Sequence, residues 1–128
     1  IEGRYGASGI RPRCGGFEMV VVGGRTASGL VVLDPQQLNC ESGTRRSCEW
    51  APVTSGSGPA PRMFATAFTA LNRVYVFGGR SDVSEPLGDL VSFSGICIES
   101  PGTGSFATPM VTGDLPTARW GHSATGIE

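Results

Sequence analysis

The sequence predicts an all-β protein built from short antiparallel strands. Its apolar residues come in runs such as Val20-Val21-Val22 and Val74-Tyr75-Val76-Phe77, short and rich in the β-branched and aromatic side chains that suit a pleated sheet. The 128 residues include 20 Gly and 9 Pro, placed between those runs as the punctuation of tight turns. No window sustains the 3.6-residue periodicity of an amphipathic helix. A hydrophobic content of 39% suffices for a core, and the length suits one ordinary domain.

Taken in order, residues 1–16 are rich in Gly and Arg and are expected to form a loop. Their first four, Ile1-Glu2-Gly3-Arg4, also match the recognition sequence of a processing protease and could be a remnant of one. A strand is predicted at Phe17 to Val22, closed by Gly23-Gly24-Arg25. After a polar turn, Leu30-Val31-Val32-Leu33 is predicted as the next strand, ended by Asp34-Pro35. Gln36 to Ser47 is expected as a polar loop or hairpin arm, with Cys40 and Cys48 near its two ends. Trp50 lies in a short strand that stops by Thr54, and Ser55 to Ala60 is turn material. The stretch Pro61 to Arg80 then reads as two strands around a turn at Leu71-Asn72-Arg73, the second strand closed by Gly78-Gly79.

From there the pattern returns. Asp89 to Phe93 stands where Leu30 to Asp34 stood, Phe106 where Trp50 stood, and Arg119 to Thr125 where Arg62 to Phe68 stood. Gly24 to Gly79 is 55 residues, Trp50 to Phe106 is 56 and Arg62 to Arg119 is 57. A period near fifty with four short strands per unit is that of a propeller blade.

These markers resemble the kelch family of β-propellers: Gly23-Gly24 and Gly78-Gly79 at strand ends, the aromatics Trp50 and Phe106 downstream, and a Pro-x-x-Arg approach with Arg62 and Arg119 as its arginines. The resemblance implies four-stranded antiparallel blades, with the innermost strand following the Arg, the second ending in Gly-Gly and the fourth carrying the aromatic. Gly23, Gly24, Trp50, Gly78, Gly79 and Phe106 are then framework, with Trp50 expected over the backbone near Gly24. The implied layout is an N-terminal loop or remnant over 1–16, a first blade of three strands over 17–60, a second blade over 61–115, and the innermost strand of a third over 116–128. Phe106 in place of Trp, and Val32 or Phe93 where the third strand usually has Tyr, depart from the family pattern. A closed ring needs ~4–8 blades, so the chain is expected to be a segment of a larger propeller or, as the alternative, an oligomer that closes the ring with copies.

Charge and residue inventory narrow the chemistry. A net charge of −1 supplies no field to recruit nucleic acid or an anionic membrane. The longest apolar runs are about five residues, far short of the ~20 that span a bilayer. The sole histidine, His122, has no evident Ser, Cys or Asp partner and is expected to be structural. Cys14, Cys40, Cys48 and Cys97 lack the Cys-x-x-Cys spacing of zinc sites, so no metal and no cofactor are expected. Cys40 and Cys48 can face each other across a hairpin and bridge it. Thiols in a reducing, intracellular compartment are the favoured alternative.

The family places Arg62 and Arg119 near the mouth of the central channel, where arginines pair with acidic peptides. Arg80, Asp82 and Glu85 belong to the loop between second and third strands, where propellers put specificity. The expectation is a non-catalytic module that docks a protein or peptide on its loop face. Alternatives are a structural subunit of a large assembly, and an enzyme on a kelch-like propeller, an oxidase or a sugar-processing one. The copper version of the last needs several His and Tyr ligands, and this chain offers His122, Tyr5 and Tyr75.

Overall fold

A computed structural model describes residues 3–12, 17–40, 47–56, 58–96 and 102–125, and for Phe17 and Glu18 the backbone alone. Cys14 and Cys97 lie outside the described residues. The strands are β1 (Arg4–Tyr5), β2 (Ser8–Ile10), β3 (Phe17–Val22), β4 (Arg25–Thr26), β5 (Gln36–Cys40), β6 (Cys48–Pro52), β7 (Thr66–Ala70), β8 (Arg73–Phe77), β9 (Leu90–Phe93) and β10 (Phe106–Ala107). They form two four-stranded antiparallel sheets, in the orders β2-β3-β5-β6 and β7-β8-β9-β10, with β1 and β4 paired beside the first. The protein is all-β, and each four-stranded antiparallel sheet is consistent with the blade that the resemblance implies.

The second sheet follows the sequence closely. Leu71 and Asn72 adopt φ of 50° and 59° and join β7 to β8 as a two-residue turn, a left-handed pair whose twist matches that of the flanking strands. Across this hairpin Phe68 faces Tyr75, and their rings stack at 5.3 Å. Val74 and Val76 point the other way and are buried, as the two-residue period of a strand requires.

The first sheet departs from the sequence reading in three places. Leu30 to Leu33 is not a strand. It is the return arm of a loop that touches Arg25 through a single bridge at Val31, and it is apolar because Val31 and Leu33 are buried beneath it. The third strand is instead the polar β5, paired with β3 on one side and β6 on the other. Third, the segment expected as a loop supplies β2, whose Ser8, Gly9 and Ile10 pair with Val22, Val21 and Val20, so the first sheet has its own innermost strand. Nothing in Ser8-Gly9-Ile10 announces a strand. Its place comes from the ladder that β3 offers.

Register makes the two sheets equivalent. Val21 pairs with Gln36 as Val76 pairs with Val91, and Leu38 pairs with Trp50 as Phe93 pairs with Phe106. The core lies between the sheets and joins Val20, Val22, Leu33 and Val53 to Val74, Val76, Val91, Phe93 and Ile96. Trp50 is half-buried and outside this cluster, while Phe106 packs edge-on against Phe93. A Cβ at Gly24 would meet the Tyr5 carbonyl at 2.9 Å and Ala7, so the close neighbour there is the innermost segment of its own repeat and not Trp50, as the sequence had suggested.

The expected innermost strand of a third blade has no ladder within residues 116–125, because an isolated strand has no partner among the described residues. Those residues are held by backbone bonds from Arg119 to Leu87 and from Gly79 and Gly121 to Arg119 and Phe64. Cys40 and Cys48 stand directly opposite on β5 and β6, with Cα atoms 4.0 Å apart, and are joined as a disulfide. That register corrects the preference for free thiols at this pair.

Candidate docking site

Each repeat opens on an arginine, Arg4, Arg62 or Arg119, and the last two occupy equivalent backbone settings. Arg62 is fully buried. Its Nη1 and Nη2 donate to the two carboxylate oxygens of Asp89 at 2.6 and 2.9 Å, Nη1 also to the Gly78 carbonyl at 3.2 Å, and Nε to the Ala60 carbonyl at 3.1 Å. This two-pronged bond holds the Asp89 carboxyl below its ordinary pKa against a smaller opposing effect of burial. Arg4 repeats the arrangement one unit earlier, donating to the Gly23 carbonyl at 3.3 Å and to Asp34 Oδ2 at 2.8 Å. Arg4 thereby ties β1 to the ends of the first repeat's strands.

Arg62, expected at a channel mouth facing a partner, is corrected by this geometry. Its guanidinium is spent on its own blade, fastening the segment before the innermost strand to the ends of the second and third. Arg119 is exposed, and among the described residues its side chain bonds only within its own turn, from Nε to the Thr117 carbonyl at 2.9 Å and from Nη2 to Thr117 Oγ at 3.0 Å.

The glycine pairs are demanded by the same join. Gly23 and Gly78 have φ of 77° and 72°, and a Cβ on them would meet the carbonyl oxygens of Arg62 and Arg119 at 2.8 and 2.6 Å. Only glycine takes both that backbone and that approach. His122 packs its ring edge against Phe77 and brings Nε2 within 2.9 Å of Thr66 Oγ and 3.1 Å of the Phe77 carbonyl.

Arg80 sits in a different environment. It follows Gly79, bridges Met63 and Pro86 through its backbone, and donates from Nη1 to Ser84 Oγ. Its guanidinium carbon lies 5.3 Å from the Phe64 ring centroid and 5.2 Å from that of Trp120, and the two rings are 5.6 Å apart. Such placement over ring faces is favourable for a cation. Trp120 remains 49% exposed, so the platform reaches solvent. Phe64 holds a left-handed φ of 57° where its repeat equivalents, Gly6 and Gly121, have 72° and 73°. A bulky residue there carries backbone strain that its ring contacts offset.

Asp82 is committed to the neighbouring repeat, accepting from Arg25 at 2.7 Å with its own side chain 69% exposed. Glu85 is exposed, and its backbone N–H donates to Ser81 Oγ. Of the residues expected to meet a partner, Arg80, Asp82 and Glu85 thus share one loop, while Arg62 and Arg119 do not join them. Sequence reasoning missed Phe64 and Trp120. The signal available for Phe64 was Arg4-Tyr5-Gly6 and Arg119-Trp120-Gly121, set against Arg62-Met63-Phe64.

No protein-family model matches the chain. The chain is similar to the "Rab9 effector protein with kelch motifs" of Xenopus laevis, with 35% identity over 78 residues, which cover 60% of this chain and 20% of that protein. The similarity supports kelch-type repeats here, in agreement with the two blades, and this chain spans a fifth of the relative's length.

Proposed function

We propose that the chain is a non-catalytic, kelch-type docking module that takes an acidic protein segment on the platform of Arg80, Phe64 and Trp120. The carrying observation is the Arg80 guanidinium, stacked at 5.3 and 5.2 Å on two rings with no carboxylate paired to it among the described residues. Its repeat equivalent, Arg25, is paired with the Asp82 carboxylate. A guanidinium held beside two aromatic rings suits bidentate contact with a carboxylate, and the flanking rings exclude water from one side of it. The name of the relative, an effector protein with kelch motifs, supports a protein-binding role over an enzymatic one.

Titration with a Glu-rich octapeptide, followed by calorimetry, tests this. Arg80→Ala and Trp120→Ala should each weaken binding ~10-fold, the size expected of a lost charge-assisted contact at an aromatic anchor. A Lys-rich octapeptide of equal length should not bind. Equal affinity of the wild-type chain for both peptides, or no change in either variant, would refute the platform.

A further inference from the structure

Among the described residues four non-glycine residues take a left-handed φ: Phe64, Leu71, Asn72 and Ser84. Leu71 and Asn72 form the hairpin turn between β7 and β8. The other two, at 57° and 65°, both touch the Arg80 guanidinium, Phe64 through its ring and Ser84 through a hydroxyl that accepts from Nη1. A side chain crowds its own backbone in that region, and such strain persists only where surrounding contacts hold it.

The first repeat builds the same loop without that strain. There Thr26 N–H donates to the Leu30 carbonyl and Gly29 N–H to the Thr26 carbonyl, each at 2.9 Å. In the second repeat Ser81 N–H donates to the Glu85 carbonyl and Ser84 N–H to the Ser81 carbonyl, each at 3.0 Å. Gly29 is therefore the counterpart of Ser84, placed four positions after Arg25 as Ser84 is after Arg80, and its φ is 89°. A Cβ on Gly29 would meet nothing within 4 Å, so it is the backbone and not a lack of space that calls for glycine. Where glycine stands, the arginine is paired with the Asp82 carboxylate. Where serine stands, the arginine has a hydroxyl and, among the described residues, no carboxylate.

We propose that Ser84 is a positioning residue that holds Arg80 open for an acidic ligand, an inference that rests on the docking role of the platform. Arg80 Nε is shut off from solvent and has no partner among the described residues, so a carboxylate has to meet the guanidinium at its η-nitrogens. The loop's backbone bonds, with Glu85 N–H on Ser81 Oγ at 3.2 Å, fix the Ser84 hydroxyl against Nη1. The rings attract the cation as a whole, whereas a hydrogen bond is directional and sets where the η-nitrogens point. A hydroxyl is also a neutral acceptor. It orients Arg80 without cancelling its charge, whereas Asp82 supplies Arg25 with a counter-charge.

Two variants of the full chain test this. Ser84→Gly gives the loop the residue of the first repeat and relieves its backbone, while Ser84→Asn keeps an acceptor on a residue that tolerates left-handed φ. Affinity for the Glu-rich octapeptide should fall ~5-fold in Ser84→Gly and return to within ~2-fold of wild type in Ser84→Asn. The urea midpoint of Ser84→Gly should equal or exceed that of wild type, a split that a merely structural residue would not give. In the peptide-free chain, the NMR order parameter of Arg80 Nε–H should drop in Ser84→Gly from the rigid range, ~0.85, toward the flexible one, ~0.6. Unchanged affinity or an unchanged order parameter in Ser84→Gly overturns the inference and leaves the docking role standing. A parallel fall of affinity and urea midpoint, without recovery in Ser84→Asn, also overturns it. A wild-type chain that binds no Glu-rich peptide removes the docking role, and this inference with it.

Discussion

Arg62 and Arg119 stand 57 residues apart in the chain and share their backbone bonds to the preceding repeat, yet one is the largest fully buried side chain among the described residues and the other is open to water. The local sequence is not the cause, since both follow a proline by three positions and open an innermost segment. What separates them is whether a second and third strand follow in the described structure to bring a glycine carbonyl and an aspartate. An arginine in this repeat is thus a framework group or an available cation according to its neighbours in space, and the same substitution should have different consequences at the two places.

Breaking the closed arrangement should have the largest effect. Asp89→Ala leaves the Arg62 cation buried without its carboxylate. Stability to urea should fall by about 3 kcal/mol, the lower end of the range for a broken buried pair because the Asp89 side chain is itself 44% exposed. A loss below ~1 kcal/mol would mean that the two hydrogen bonds from Arg62 to backbone carbonyls suffice.

An intermediate effect is expected from pH. The native Asp89 carboxyl titrates below its unfolded value of about 3.9. Its contribution is therefore present in full above that value and is lost as pH falls through the native pKa. Urea midpoints between pH 6 and pH 2 should drop less steeply for Asp89→Asn than for wild type, after allowing for the lower starting stability of the variant. Parallel curves would remove this pair as a source of acid sensitivity.

The smallest effect belongs to Arg119→Ala, expected within ~0.5 kcal/mol of wild type in the chain alone, as for an exposed side chain bonded only to its own turn. A loss approaching that of Asp89→Ala would show that Arg119 already has a partner.

How far the sequence could be read follows the same division. The second sheet was legible because its strands are apolar runs, Val74 to Phe77 and Leu90 to Phe93, bounded by turn residues. The first was not, since β5 is Gln-Gln-Leu-Asn-Cys and its strand character comes from pairing on both sides. Gln37 is fully buried in it, a placement that hydrophobicity patterns do not anticipate. The neighbouring Leu30 to Leu33 has the composition of a strand but gains its burial as a loop arm. Arg4 was obscured because no Pro-x-x-Arg approach precedes it.

Of the candidate site, the loop carrying Arg80, Asp82 and Glu85 was visible from its place between glycine pair and third strand. Its partners were not. Phe64 and Trp120 reach Arg80 from segments 16 and 40 positions away in sequence (80 − 64 and 120 − 80), and no local pattern encodes a meeting of that kind.

The bonds from Gly24 N–H to the Arg62 carbonyl and from Gly79 N–H to the Arg119 carbonyl also set an order in time. Each strand-end glycine is completed by a residue 38 or 40 positions later (62 − 24 and 119 − 79). On a ribosome adding about 5–20 residues per second, a glycine pair waits roughly 2–8 seconds after its own synthesis before its acceptor exists. During that interval water must serve the N–H groups and the blade's outer face. Each repeat therefore leaves the ribosome unfinished and is closed from behind by the one that follows.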